Sequence, residues 1–262
     1  MVESPRYLVL ADRRAEAVTT LRKLEGLSDA AAEDAFRAIS GKLKSDQGGR
    51  STSWRPLTHP TGGMQLRMRC ALLLSTMHQL GGEKALLYYG PDLLEELGAS
   101  SAAANTSFSA ILGVKVLALL ATYVAIDALG RRVVLVSGLG VMSASLVALA
   151  VAIFGRRLWF ATGALAVLFM SHGDSIGVVA MIYASEIFPL GVRAKAMAIV
   201  IFANRFAGLV AASTHLSLAH WMGDATIVGV YALLNATTAA LVFLYFPETK
   251  QLSLEKIDSL LS

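Results

Sequence analysis

The sequence predicts an all-α membrane protein in which short amphipathic helices precede six transmembrane helices. Hydrophobic residues make up 55% of the chain and charged residues only 16%, a balance too apolar for an ordinary soluble domain. All six prolines fall outside the long apolar stretches or at their ends, as expected where proline terminates unbroken helices. The short alternating segments typical of a transmembrane barrel do not occur.

Six apolar stretches of membrane-spanning length follow one another along the chain. Each has about 20 residues or more, which is enough to cross a hydrocarbon core about 30 Å thick. The stretches cover residues 66–90, 101–126, 132–154, 158–185, 195–220 and 225–246. They divide the chain into a cytosolic helical segment with a linker (1–63), a six-helix transmembrane region (64–247) and a cytosolic tail (248–262).

The polar N-terminal segment contains two predicted amphipathic helices. Residues 12–25 carry Ala15, Val18 and Leu21 at helical spacing, and the pattern stops at Gly26. Residues 28–43 repeat the pattern, with Phe36, Ile39 and Leu43 on one face. A turn-rich stretch without periodicity, 45–63, then links this segment to the first span.

The basic residues predict the orientation of the spans. With a cytosolic N-terminus, eighteen lysines and arginines fall on the inner side and two, Arg156 and Arg157, on the outer side. Three more lie inside the spans. We therefore expect an integral, multi-pass protein with both termini in the cytosol. Because the charge is sorted by side of the membrane, it does not predict a nucleic-acid partner.

Signatures of soluble-enzyme chemistry do not occur in the sequence. It contains no phosphate-binding loop, no HExxH and no nucleophile elbow. The single cysteine, Cys70, allows neither an intrachain disulfide nor a cysteine-based metal site. We expect no catalytic residues, no cofactor and no metal. A membrane-embedded enzyme stays open as an alternative.

Four separated strings agree in content and spacing with one known pattern. They are Glu3-Ser4-Pro5-Arg6-Tyr7-Leu8, Asp127-Ala128-Leu129-Gly130-Arg131-Arg132, Ser185-Glu186-Ile187-Phe188 followed by Arg193, and Pro247-Glu248-Thr249-Lys250. Their order resembles the C-terminal half of a sugar porter of the major facilitator superfamily. There the strings open a cytosolic helical domain, join helices eight and nine, end helix ten and follow helix twelve. The resemblance implies half of an alternating-access transporter, with an N-terminal six-helix half as its partner.

Charged residues of both signs collect at the predicted cytosolic ends of the spans. Opposite charges at one face can bond when the inner side is shut and separate when it opens. The resemblance implies such an inner lock, formed by Arg6, Asp127, Arg131, Arg132, Glu186, Arg193 and Glu248. The alternative is a set of unlinked positive-inside charges with acids nearby.

The stretch 77–91 (MHQLGGEKALLYYGP) is the candidate for the binding site. It places two glycines and several ionisable groups inside an apolar span, and such breaks normally face a bundle interior or a water-filled cavity. The resemblance to the sugar-binding string of helix seven implies substrate-binding roles for His78, Gln79 and Lys84, and for the outer aromatic pair Tyr88 and Tyr89. The Asn-Trp pair that the family carries in helix eleven falls on Asn204 and Arg205, so the resemblance implies substrate-binding roles for these two residues as well.

Charges at the predicted membrane midplane complicate the choice of substrate. Lys115, Asp174 and Arg205 each lie ~15 to 17 Å from the cytosolic end of their span. The surplus positive charge favours an anionic substrate, with Asp174 or His172 as a proton-titrating group; alternatively, it pairs with an acid of the first half. Lys84 lies nearer the outer end of its span. As an alternative to a binding role, its charged end and that of Glu83 could extend to the water at the outer membrane surface.

These observations predict transmembrane transport of a small solute, a sugar by resemblance, through a lipid bilayer. Symport with protons is a further expectation. Three alternatives stay open: transport of an organic anion or another non-sugar solute, a transport-dead membrane sensor or subunit, and a truncated fragment of a longer transporter.

Overall fold

The structure is a computed structural model that describes residues 8–9, 13–26, 28–47, 54–60, 62–248 and 250. Within these residues every regular element is a helix, which confirms the all-α prediction. The helices are α1 (Arg14–Glu25), α2 (Asp29–Gln47), α3 (Arg55–Thr58), α4 (Gly63–Leu80), α5 (Glu83–Glu96), α6 (Ser101–Leu129), α7 (Arg131–Phe154), α8 (Leu158–Asp174), α9 (Ile176–Ile187), α10 (Leu190–Met222) and α11 (Asp224–Tyr245).

The chain divides into two compact units. The first comprises Met1–Trp54 with Leu190–Ala194, and the second comprises Arg55–Pro189 with Lys195–Ser262. In the first unit α1 packs against α2. The buried face of α1 is formed by Ala17 and Leu21, whereas Ala15, which the periodicity placed on that face, is exposed. The two predicted N-terminal helices are therefore present, with the apolar face of α1 rotated from the expected one.

Ion pairs reinforce the helix pair of the first unit. Arg14 pairs with Glu33 between the two helices, and Arg22 Nε lies 2.8 Å from Asp29 Oδ1 across the intervening turn. At the start of α1, Arg13 Nε donates to Glu16 Oε1 at 2.8 Å. This hydrogen bond lowers the pKa of the exposed Glu16 carboxyl below its ordinary value.

The second unit holds the long apolar helices. Five segments of the described residues are long and apolar enough to cross a membrane: Ser101–Leu120, Arg131–Phe154, Leu158–Ile187, Gly191–Met222 and Asp224–Tyr245. They correspond to five of the six predicted stretches. The fourth predicted stretch is not a single unbroken helix, because the chain breaks at Ser175 between α8 and α9.

The first predicted stretch, 66–90, is not one helix. It falls on α4 and α5, which are separated by Gly81 and Gly82. Gly82 adopts the left-handed conformation at φ +92°, and a Cβ at this position would lie 2.5 Å from Cδ2 of Tyr231. Both observations require glycine. Pro91, which we expected at the end of the span, lies inside α5, so the helix continues past it to Glu96.

Helix α7 forms the centre of the apolar packing, against α8 and α11. Its buried side chains recur every three or four residues, as one packed helical face requires. They include Leu135, Leu139, Met142, Leu146 and Leu149. Valines on the opposite face are exposed, as expected of a surface that faces lipid. Helix α8 also packs against α5 and α6, and α4 packs against α9 and α11, so the break between α4 and α5 lies among these helices.

Candidate functional site

A cavity of about 540 Å³ lies beside the break between α4 and α5. Its volume is within the range of about 300 to 1,000 Å³ that is usual for small-molecule sites. Its apolar lining includes Leu119, Met181 and Ile201. Its polar lining consists of His78, Gln79, Lys84, Lys115, His172, Asn204 and Arg205. Five of the seven predicted substrate-binding residues therefore line one cavity.

Two buried amides connect α4 and α10 at this cavity. Gln79 Nε2 donates to Asn204 Oδ1 at 2.8 Å. Asn204 Nδ2 donates to the carbonyl oxygen of Ser75 at 2.7 Å and lies 2.9 Å from His78 Nδ1. Because Asn204 Nδ2 supplies the protons, Nδ1 of the neutral His78 ring is the acceptor. The network holds both amides in defined orientations at the cavity wall.

A cluster of ionisable groups surrounds Glu83 at the start of α5. The side chain of Glu83 is 0% exposed, and its Oε1 lies 2.5 Å from Lys115 Nζ. Its Oε2 lies 3.3 Å from Lys84 Nζ and 3.7 Å from His172 Nε2. The rings of His172 and His78 stack with centroids 5.2 Å apart. The cluster thus joins α4, α5, α6 and α8.

This cluster replaces the interpretation in which Glu83 and Lys84 reach water along the membrane surface. Since α5 begins at Glu83 after the glycine break, the Glu83 side chain turns into the bundle. The carboxylate also lies in the first turn of α5, where the helix dipole favours negative charge. Lys84 follows it as an ion-pair partner and lines the cavity.

Of the three predicted midplane charges, Lys115 and Arg205 have described side chains, and both line the cavity. Among the described side chains, the partner of Lys115 is Glu83. Helix α8 ends at Asp174, whose side chain lies outside the part of the chain that the structure describes. Arg205 lines the cavity with an exposed side chain and has no hydrogen-bond or ion-pair partner among the described residues.

The predicted aromatic pair lies away from this cavity. Tyr88 is 64% exposed and is not part of the lining. Tyr89 stacks on His215 with ring centroids 5.1 Å apart and lines a second cavity of about 130 Å³. The turn at Gly81 and Gly82 changes the direction of α5, so residues that a straight helix would stack above His78 point elsewhere.

Four of the seven predicted inner-lock residues contact one another. Arg131 Nη2 lies 3.0 Å from Glu186 Oε1. The two carboxylate oxygens of Glu248 accept from the backbone N–H groups of Arg131 and Arg132 at 2.9 and 3.0 Å, capping α7. The structure therefore brings together four of the seven residues.

The other three predicted lock residues are Arg6, Asp127 and Arg193. Arg6 and the side chain of Asp127 lie outside the described residues. Arg193 belongs to the segment Leu190–Ala194 of the first compact unit. Their parts in the lock stay predictions.

Three buried polar contacts were not assigned to the site from the sequence. Arg67 Nη1 donates to the carbonyl oxygen of Ile187 at 2.9 Å and ties α4 to the end of α9. Asn235 Nδ2 donates at 2.8 Å to the carbonyl oxygen of Gly81, within the helix break. The third is the Glu83 cluster. The available signal was a polar residue within an apolar span, since such a residue requires an internal partner.

The profile of the family described as sugar (and other) transporter matches residues 1–261. Curated relatives from Arabidopsis thaliana include D-xylose-proton symporter-like 3, 28% identical over 98% of this chain and 48% of its own length, and probable polyol transporter 4, 30% identical over 98% and 50%. The arabinose-proton symporter of Bacillus subtilis is 27% identical over 98% of this chain and 54% of its own length. The chain thus spans about half the length of the curated relatives it matches.

Solved structures show the same fold. The proton:xylose symporter XylE bound to 6-bromo-6-deoxy-D-glucose superposes with a TM-score of 0.81 at 24% identity, covering 100% of this chain and 55% of the symporter. The inward-open xylose transporter XylE from E. coli gives a TM-score of 0.67 at 22% identity, covering 99% and 52%.

Proposed function

This chain belongs to the sugar (and other) transporter family of the major facilitator superfamily, and from that membership we propose that it forms the C-terminal six-helix half of an alternating-access transporter for small polyhydroxylated solutes. It is an integral, multi-pass membrane protein. The family consists of transporters rather than enzymes. Similarity over about half of each relative's length supports a second six-helix half as the partner that completes the solute site.

The observation that carries the proposal is the hydrogen-bonded pair of Gln79 and Asn204 at the cavity wall, beside the broken helix. Asn204 is bonded to Gln79, Ser75 and His78 and holds Gln79 in place, so the groups of the pair that suit a solute hydroxyl are Oε1 and the second N–H of Gln79. Irregular backbone at membrane depth is tolerated where it is buried in protein or lines a cavity. A helix break, two oriented amides and a cavity of about 540 Å³ together suit a solute of sugar or polyol size.

Alternating access needs contacts that close one side of the bundle. We assign the closing of the inner side to two contacts: the ion pair of Arg131 with Glu186, which joins α7 to α9, and the Glu248 cap of α7, which joins α7 to the chain after α11. These contacts break when the inner side opens. The proposal places them, with both termini, in the cytosol. Relatives named as proton symporters support protons as the coupled ion.

The test is solute binding and counterflow with a matched pair of variants. Radiolabelled D-xylose, L-arabinose and sorbitol are offered to the purified 262-residue chain in lipid nanodiscs. Counterflow is then measured in liposomes with and without an N-terminal six-helix half supplied in trans. We expect Asn204→Leu to reduce binding at least about tenfold, since it removes the hydrogen bond that orients Gln79 at the cavity wall.

The control is Asn105→Leu. Asn105 is exposed on α6 and bonds only its own helix in the described structure, so its replacement leaves the cavity intact. Absence of binding and of counterflow for these three neutral solutes and for the sugar acid D-glucuronate would overturn the proposal. Equal losses of solute binding in Asn204→Leu and Asn105→Leu would show that the solute does not bind in this cavity.

A further inference from the structure

The cavity lining is positively charged. Among the described side chains that line it, three are cationic, Lys84, Lys115 and Arg205, and none is a carboxylate. Lys84 and Lys115 are only 28% and 17% exposed, so bulk water solvates neither fully. Cations in such a place require a counter-charge or water.

Glu83 supplies only part of that counter-charge. Its Oε1 accepts a hydrogen bond from Lys115 at 2.5 Å, and its Oε2 lies 3.3 Å from Lys84 Nζ, so one negative charge serves two cations. With no exposed surface, the carboxylate cannot itself contact a solute. Glu83 therefore fixes the positions of the two ammonium groups at the wall, and among the described side chains the lining keeps a surplus of positive charge.

Arg205 adds a third cation to the cavity lining. It follows Asn204 directly on α10, its side chain is exposed, and no described residue pairs with it. A guanidinium offers five N–H donors in a planar arrangement that matches a carboxylate bidentately. Gln79, held by its bond to the neighbouring Asn204, offers an amide suited to hydroxyls. One cavity thus presents hydroxyl-binding and carboxylate-binding groups together.

From this arrangement we propose that the solute is a sugar acid, a polyhydroxylated monocarboxylate of hexose size. The inference rests on the proposed transport function and narrows its substrate class. Its carboxylate pairs with Arg205 and is attracted by Lys84 and Lys115, and its hydroxyls bond Gln79, which Asn204 holds in place. A neutral sugar would leave the surplus charge uncompensated, whereas a monoanion neutralises part of it in a cavity where charge pairs are stronger than in water.

The experiment compares three probes of the same size and different charge: D-glucuronate, D-glucose and D-glucosamine. Equilibrium binding is measured with the 262-residue chain in nanodiscs, followed by counterflow as above. We expect glucuronate to bind at least about tenfold more tightly than glucose, with glucosamine weakest, and we expect the preference to shrink with salt.

Substitution of Arg205 tests the assignment of the carboxylate. Arg205→Gln should abolish the preference for glucuronate, Arg205→Lys should retain part of it, and Arg205→Glu should shift the preference towards glucosamine. Arg157→Gln is the matched control, because Arg157 is exposed on the turn between α7 and α8 and lines neither cavity. Labelling of the buried Cys70 by a thiol-reactive dye on heating verifies that each variant is folded.

Two results would overturn the inference. If glucose binds as tightly as glucuronate and Arg205→Gln changes neither affinity, the sugar-acid assignment is wrong while the transport proposal stands. If none of the three probes binds and the neutral solutes also fail, the transport proposal itself is wrong. A glucuronate preference lost in Arg205→Gln and kept in Arg157→Gln supports the inference.

Discussion

Lys115 Nζ on α6 lies 2.5 Å from Oε1 of Glu83, a carboxylate with no exposed surface at the start of α5. The pair joins two helices, and the same carboxylate also contacts Lys84. An isolated charge at the centre of a membrane helix costs about 3 kcal/mol on insertion scales. Each charge therefore compensates the other inside the apolar bundle. Together they fix the direction in which α5 continues after Gly81 and Gly82.

Breaking this ion pair should destabilise the protein. We expect Glu83→Gln to lower the free energy of unfolding by about 3 kcal/mol or more, because it leaves Lys115 buried without its counter-charge. The measurement is the thermal midpoint in detergent, followed by the reaction of a thiol dye with Cys70, the single and buried cysteine.

The double variant and a surface acid provide the controls for that measurement. Glu83→Gln with Lys115→Met should recover part of the loss, since no unpaired lysine then remains on α6. Glu96→Gln, at the exposed end of α5, should leave the midpoint unchanged. An unaltered midpoint in Glu83→Gln would show that the pair contributes nothing to stability.

Two glycines on α7 should respond differently to the same substitution. A Cβ at Gly138 would overlap the Cβ of Ser175, whereas a Cβ at Gly140 meets nothing within 4 Å. We expect Gly138→Ala to destabilise by about 1 to 3 kcal/mol, the usual cost of overpacking. Gly140→Ala should be neutral or slightly stabilising, because alanine is the better helix former. Equal midpoints for the two variants would contradict the close contact between α7 and the break at Ser175.

The amide of Asn235 should hold the break in the first span. Its Nδ2 donates at 2.8 Å to the carbonyl oxygen of Gly81. Asn235→Leu leaves that buried carbonyl without its bond and should cost about 1 to 3 kcal/mol. Thr237→Val is the comparison, because Thr237 is exposed and bonds only its own helix. Thermal midpoints of the two variants give the difference, and a larger loss in Thr237→Val would refute the role of Asn235.

Removal of the Glu248 carboxylate should loosen the inner lock. Its oxygens accept from the first two N–H groups of α7, and capping groups at a helix N-terminus contribute about 1 to 2 kcal/mol. We expect Glu248→Ala to lower the thermal midpoint accordingly. It should also increase modification by a membrane-impermeant thiol reagent, applied from the inner side, of a cysteine introduced by Ser185→Cys beside Glu186. Unchanged modification would mean that the cap stabilises α7 without closing the inner face.

Most of the bundle could be predicted from composition and periodicity. A run of about 20 apolar residues needs only local counting to be recognised as a span, and five of the six stretches correspond to long apolar helices. The two glycines at 81 and 82 indicated a break in the span, but the sequence did not predict in which direction the chain turns there. This turn is the reason that Tyr88 and Tyr89 lie outside the cavity while His78 and Gln79 line it.

Sequence alone predicted the fold class and the family resemblance, because each depends on local pattern. The depth of the charged residues, counted along each helix, stays a prediction. The sequence could not assign partners. Glu83 and Lys115 are 32 residues apart, and Gln79 and Asn204 are 125 apart, on helices whose rotation depends on packing against all the others. Only the tertiary structure shows that Glu83 turns inward to pair with two lysines, because the left-handed turn at Gly82 and the packing of Tyr231 against it set that direction.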